Sequence, residues 1–403
     1  MYNLKKSAIA LMMIILAVFA FDSNAQITTS TVSGKVKDSK GEEIPGANVV
    51  LVHTPTGTRY GVATQMDGNF VLANMNPGGP YTLSVSFVGY QTFKAENLNL
   101  TLGANPNVNV IISEETTTLT EVVVKADKGG TRTGSVTTIS ETAIKAVPTL
   151  NRSLTDMTRL TPQGSSSNSF AGTNFRYNNV TVDGTINNDA IGFSPSLGGQ
   201  SGTSGMPGSS TRTNPISLDA IEAVQVNISP FDVRQSNFTG AGINAITKSG
   251  SNTTTASVYT LMRNEKFNGT KVDTFDLGEQ KKTSSNIYGF RLGGALVKDK
   301  IFYFVNYENE KTSIPGLQWI ASRPGTGQNA ADPNLSRTLA SDLDLVRTHL
   351  KEKYNYETGD YENLGNFNTA NQKFLARVDW NISAKHKFSL RYNSVHNTND
   401  QVL

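Results

Sequence analysis

The side chains suited to acid–base, nucleophilic or metal chemistry are few and scattered. The chain has four histidines, His53, His349, His386 and His396, and no cysteine. None of the histidines has a second His or a carboxylate at metal-ligand spacing. Without cysteine there is no thiol nucleophile, no disulfide framework and no Cys-ligated zinc. His386 falls in a predicted turn and His349 in a predicted loop helix, "TLASDLDLVRTHLKEKY", so both read as solvated. "GAGINA" (240–245) has the letters of a dinucleotide phosphate loop. Such a loop needs a parallel strand before it and a helix after it, and neither is predicted. There is no phosphate-binding P-loop and no G-x-S-x-G nucleophile elbow. Asp67-Gly68 and Asp183-Gly184 are single turns rather than calcium loops. The sequence therefore calls for no catalytic residue, no metal and no cofactor, and an enzyme is not expected.

A different kind of chemistry is offered by "LTEVVVKA" at 119–126, where Leu119, Thr120, Glu121, Val122, Val123 and Val124 lead into Lys125. β-Branched residues favour extended backbone, yet "EETTTLT" before the run and "DKGG" after it read as linker. The run is either one more strand of a neighbouring domain or an orphan strand free to pair with another protein.

Charge and the chain ends bound what these residues can serve. The net charge of +3 is small for 403 residues, and no Lys/Arg block tracks phosphates, so nucleic acid is not an expected partner. The N-terminus combines Lys5 and Lys6, an apolar stretch from Ala8 to Phe21, and the small-residue site Ser23-Asn24-Ala25. That is a signal peptide over 1–25, its apolar run being short of the roughly 18–20 residues of a spanning helix. The last residues stop in polar, loop-like sequence directly after a strand pattern, so the chain is read as part of something longer.

Four regions follow the signal peptide. Residues 30–113 carry short alternating runs, "TVSGKVKD", "ANVVLVHT", "TRYGVATQ", "NFVLANM", "YTLSVSFVGY" and a last strand "VNVIIS", punctuated by Gly/Pro/Asp turns. Short strands at this spacing imply a β-sandwich. Residues 114–130 are linker. Residues 131–252 are mixed, with a helix predicted over 151–162 (Leu154, Met157 and Leu160 on one face, Asn151 as cap, Pro162 as stop) and a strand "NNVTVDG" into an Asp-Gly turn. A Gly/Ser-rich loop at 192–210 precedes "ISLDAIEAVQVNIS", a short helix running into a strand.

From 253 to 403 the alternation lengthens. Phe374, Ala376, Val378, Trp380 and Ile382 alternate with Leu375, Arg377, Asp379 and Asn381; Tyr288, Phe290, Leu292 and Leu296 share a face opposite Gly289, Arg291 and Gly293; Ile301, Tyr303, Val305 and Tyr307 stand opposite Asn306, Glu308 and Glu310. Short connections (297–300, 383–386) alternate with long ones (264–285, 311–371). Alternating short and long connections mark an outer-membrane barrel, and tyrosines and Trp380 near strand ends suit its interfacial girdles.

The 30–113 stretch resembles the carboxypeptidase-regulatory-like, transthyretin-like domain, on "VSGKVKDSKGEEIPGANVVLV", Thr64–Phe70 and "YTLSVSFVGY". The whole order of parts resembles TonB-dependent outer-membrane receptors of the Oar-like type. The carrying residues are "LTEVVVKA", "SLTDMTRLTP", "NNVTVDG" and "IEAVQVNISPFDVRQSNFTGAGINAITKSG". In the last, Gly240, Gly242, Ile243, Asn244, Thr247 and Lys248 match the run that closes the family's plug. The resemblance implies a mainly β chain: an N-terminal transthyretin-like sandwich, a mixed α+β plug, then the first strands of a large barrel of about 22 strands. Only a handful of strands are present, so the barrel is expected to be incomplete in this sequence. The resemblance also implies residence in the outer membrane of a Gram-negative bacterium, with the sandwich in the periplasm and outer-membrane lipid around the strands. It implies energy-coupled uptake of a large ligand that the sequence does not identify. TonB, with its inner-membrane energy-coupling complex, would grip Leu119–Val124 by strand addition. A surface lipoprotein is a further candidate partner. The alternative from another class is an exported β-sandwich adhesin, which has no need of the short/long alternation.

Overall fold

In the computed structural model, the residues described are 29–101, 103–105, 107–114, 135–149, 152–165, 169–174, 177–187, 216–228, 240–276, 278, 281–316, 319–324, 334–362, 365–383 and 386–400. The signal-peptide stretch 1–25, the run Leu119–Val124 and the Gly/Ser-rich loop 192–210 lie outside them.

The N-terminal unit is built from β1 (Ser30–Asp38), β2 (Asn48–His53), β3 (Thr58–Ala63), β4 (Asn69–Met75), β5 (Gly78–Ser86), β6 (Phe93–Leu100), β7 (Gly103–Ala104) and β8 (Val110–Ile112). They form two sheets, β4-β1-β7 with β8 also on β1, and β3-β2-β5-β6. The alternation that predicted strands also fills the space between the sheets, with Val32, Val36, Val49, Leu51, Phe70, Tyr81, Leu83 and Ile112 packed into one core. β6 is absent from the sequence reading. It is an edge strand carrying Lys94, Glu96 and a left-handed Asn97 (φ 59°), so its alternation is broken.

The central unit contains β9 (Ser135–Ser140), α1 (Glu141–Ala146), α2 (Leu154–Thr158), β10 (Asn179–Val182), β11 (Thr185–Ile186), β12 (Ile221–Ile228) and β13 (Ala241–Thr247). Its sheet runs β11-β10-β13-β12-β9, with β10 and β13 parallel. α2 is shorter than predicted. Leu154 and Met157 are buried, but the chain turns after Thr158 and leaves Leu160 exposed. The donor groups at its start are met by Ser153, whose Oγ accepts from the Asp156 N–H at 3.1 Å. "GAGINA" lies at and within strand β13, so no phosphate loop exists there.

The third unit is an antiparallel meander in the order β14-β17-β18-β21-β22. β14 spans Thr255–Asn264; β15 (Lys271–Val272) and β16 (Phe275–Asp276) form a small hairpin in the following loop. β17 is Ser284–Val297 and β18 Ile301–Pro315. The next loop holds β19 (Ile320–Ser322), β20 (Leu335–Leu339) and α3 (Ala340–Tyr354), before β21 (Asn366–Asn381) and β22 (Lys387–Asn399). A turn at 298–300 and the short connection from Asn381 to Lys387 lie at one end, and the connections at the other end are long. The outer face is apolar: Val258, Tyr288, Phe290, Leu292, Leu296, Trp380 and Tyr392 are exposed. Tyr307 is not at a strand end; it sits mid-strand, opposite Phe290 and Phe374 in one cross-strand aromatic row. The inner face carries Phe304 and Leu375, which join the core of the central unit.

Candidate functional site between the central sheet and the barrel wall

Inward charges on the long strands lie at positions dictated by the two-residue period, and Arg291, Glu308, Lys373, Arg377, Asp379 and Arg391 form three clusters with the central unit. The first is centred on Asp183, the turn residue after β10, held in the left-handed region at φ 48°. Its carboxylate accepts from the Thr247 N–H at 2.7 Å and from the Thr247 hydroxyl. Arg391 of β22 bonds the same carboxylate and donates to Val182 O at 2.9 Å. Arg377 of β21 approaches it at 3.7 Å and donates to Thr247 O at 3.0 Å. Arg377 is in turn held by Asp379 at 2.8 Å, to which Ser249 also donates.

The second cluster joins Glu308 of β18 to Lys373, its direct cross-strand neighbour on β21, at 2.7 Å. Ser217 of the central unit donates to Glu308 at 2.8 Å, and the Tyr259 hydroxyl bonds the same oxygen. In the third, Lys248 donates to Asp219 O at 2.8 Å and pairs with Glu141 of α1 at 3.0 Å. Arg291 of β17 reaches Asp219 at 3.4 Å and Glu141 at 3.6 Å. Burial alone would raise the Glu141 carboxyl, but its bonds to Lys145 and Lys248 prevail and hold it at about 2. Burial pulls Lys248 below the usual lysine range, against the attraction of Glu141 and Asp219.

The predicted motif residues are all brought to this junction or to the sheet behind it. A Cβ on Gly240 would run into Asn178, whose side chain accepts from the Ala241 N–H at 2.9 Å, so the chain enters β13 only by close approach. Gly242 pairs with Asn179 and Asn227 on the two flanking strands, and Ile243 is fully buried in the core. Asn244 accepts from Thr181 at 2.7 Å and from the Gly184 N–H at 3.0 Å, fixing the turn that presents Asp183. Thr247 and Lys248 make the contacts described above. Leu119, Thr120, Glu121, Val122, Val123 and Val124 lie outside the described residues.

Sequence reading missed Asp183, Ser217, Glu141 and Lys373 as contact residues. The available signal was the charged inward face of an otherwise apolar alternation, at Arg291, Glu308, Arg377 and Arg391. Among the described residues, no group of three or more His, Asp or Glu is placed to hold a metal ion. His53 sits inside the sandwich, bonded to Thr56 at 2.6 Å and packed against the Tyr81 ring at a 45° tilt; burial and the charges of Lys387 and Arg377 lower it to about 4.

Comparison with known proteins places these parts. The carboxypeptidase regulatory-like domain family matches residues 31–113, and an outer membrane beta barrel domain family matches 246–402. The TonB-dependent transporter Oar of Myxococcus xanthus is 25% identical over 316 residues, 73% of this chain and 28% of that protein. The TonB-dependent receptor SusC of Bacteroides thetaiotaomicron is 40% identical over 115 residues, 28% of this chain and 10% of that protein. The siderophore receptor PirA of Acinetobacter baumannii superposes on 66% of this chain and 32% of its own, with 17% identity and a TM-score of 0.42, too loose to bear on the fold. This chain thus spans less than a third of each of these relatives. The chain thus joins a carboxypeptidase regulatory-like domain to outer membrane beta barrel strands, and in this order of parts and in its relatives it is similar to the TonB-dependent receptors of the Gram-negative outer membrane.

Proposed function

We propose that the protein takes up a large polar ligand, of the oligopeptide or glycan class, through a barrel closed by the central unit acting as a plug. The outer membrane holds no ATP, so the work must come through a partner. TonB, energised from the inner membrane, would grip Leu119–Val124 by adding that run to its own sheet edge, where main-chain hydrogen bonds give the hold. The observation that carries this reading is the polar seam itself. Asp183, Thr247, Ser217 and Lys248 meet the inner wall through ion pairs and hydrogen bonds, while apolar contact is supplied by Phe304 and Leu375. Water can replace a polar partner when the plug shifts, whereas an apolar seam would lose its full burial energy. The seam supports a plug that is held in register yet displaceable under load.

The test uses the complete protein with single cysteines at Glu121, Val122 or Val123 and a cysteine on the edge strand of TonB. Disulfide cross-linking in cells is expected at these positions. Deleting Leu119–Lys125 is expected to leave heat-modifiable migration in the outer-membrane fraction unchanged while cross-linking and uptake stop. Loss of the folded barrel on deletion would instead make the run a structural strand.

A further inference from the structure

The two ends of the sandwich are chemically distinct. β1 and β8 run the same way and β4 runs against them, so the loops at 38–47 and 63–68 and the chain exit at Glu114 share one end. The β2–β3 loop (54–57) and the segment 76–79 lie at the other end. That second end meets the rest of the molecule on two different bodies at once.

On the barrel side, the contacts fall on the short-turn end. Asn252 N–H donates to Pro55 O at 2.8 Å, and the Asn381 amide donates to the Thr58 hydroxyl at 2.8 Å. The Lys387 ammonium lies 3.1 Å from the centroid of the Tyr60 ring, a cation–π contact. Asn252 and Asp299 bond each other across this rim at 2.7 and 2.9 Å, and Gly57 packs on the pair so closely that a Cβ would strike the Asp299 carboxylate. On the plug side, the Gly79 N–H donates to the Glu222 carboxylate of β12 at 3.2 Å. A Cβ on Gly78 would strike the same carboxylate. Both Gly57 (φ 66°) and Gly78 (φ 98°) hold backbone conformations that L side chains rarely adopt. The sandwich therefore presents two loops shaped for close approach, one to the barrel rim and one to the plug.

The connection between sandwich and plug does not impose this fit. The chain leaves the sandwich at Glu114, the end remote from the contacts, and residues 115–134 could reach roughly 70 Å if extended. Proximity is thus a property of the two surfaces.

We infer that the regulatory-like sandwich is an autoinhibitory clamp: by holding the barrel rim and plug strand β12 together, it keeps the plug seated until it is undocked. The inference rests on the plug reading above. A plug strand bonded to a body that is itself fixed to the barrel cannot shift along the wall without breaking one of the two sets of contacts. Undocking the sandwich removes the Glu222 bond and leaves the polar seam and the Phe304 and Leu375 contacts to hold the plug.

The test uses the complete protein in outer membranes. The described chain has no cysteine of its own, so Thr58→Cys with Asn381→Cys reports docking directly. Most molecules are expected to cross-link under mild oxidation, and few with Met66→Cys and Asn381→Cys, since Met66 lies at the far end. Cross-linking no better than this control overturns the clamp. The second arm uses vancomycin, which is too large for ordinary porins. Glu222→Ala, and separately Asn381→Ala with Lys387→Ala on the rim, are compared at equal amounts of heat-modifiable barrel. Each is expected to raise the vancomycin-permeable fraction about tenfold, the net weight of about one hydrogen bond or of one cation–π contact with a weak bond beside it. Unchanged exclusion in the rim variant, which leaves the plug core intact, also overturns the clamp. Neither arm needs substrate or TonB, so failed uptake with docking intact counts against the transport reading alone.

Discussion

Arg377 and Arg391 stand directly opposite each other on β21 and β22. Like charges in that register repel, and the sheet alone has no remedy on this pair beyond Asp379 beside Arg377. Asp183 supplies one from the plug by lying within reach of both guanidinium groups. The charge on Asp183 therefore does more than add a contact: without it, two largely covered cations face each other with one carboxylate. Asp183→Asn is expected to weaken plug seating by about 3 kcal/mol, the lower end for breaking a buried ion pair because these side chains keep some solvent contact. Adding Arg391→Gln removes the repulsion and should restore part of that loss. A double-mutant cycle read by vancomycin exclusion checks this. Strictly additive effects would mean that Asp183 does not bridge the pair.

At the scale of elements, the contact between the 76–79 segment and β12 carries its own sensitivity to pH. Glu222 retains a little exposed surface, but its carboxyl is enclosed. Burial raises it from 4.5 to about 7, over the opposing pull of the Gly79 N–H and Arg377, with Glu141 and Asp183 also raising it. A group raised in the docked state binds its proton more tightly there. Docking strength is then fully present below pH 4.5 and is lost as pH rises through about 7. Spin-label distances between sandwich and barrel rim should show the docked fraction growing from pH 8 to pH 5, and Glu222→Gln should flatten the profile. The elements themselves were unequally legible. β17, β18, β21 and β22 announced themselves because one face must satisfy lipid and the other the plug, which forces strict alternation. β6 and β9 gave no such signal; β6 is an edge strand with charges, and β9 is the short polar run "SVTTIS" that gains its partner only from β12. The motif at Gly240–Lys248 was readable as a unit, but its partners were not. Asp183, Glu141 and Ser217 are distant in sequence and are brought together only by tertiary structure.

For the molecule as a whole, the membrane decides which substitutions are tolerated, and β17 puts the two environments one residue apart. Arg291 points inward and is matched by Asp219 and Glu141, so its charge is accommodated. Leu292 points outward and is exposed. A spanning strand needs roughly 9–11 residues to cross the hydrocarbon. Counting from the short turn at 298–300 puts Leu292 near mid-depth and Leu296 near the interface. An arginine on the lipid face costs about 2–4 kcal/mol at the midplane and about 0–1 near the interface. Leu292→Arg in the complete protein should therefore lose barrel stability on that larger scale, Leu296→Arg should lose little, and Leu292→Phe should be nearly neutral. Urea unfolding of the barrel refolded in lipid vesicles measures all three. Equal costs at 292 and 296 would mean that this face does not meet a bilayer, and an aqueous sheet such as an adhesin would produce that result.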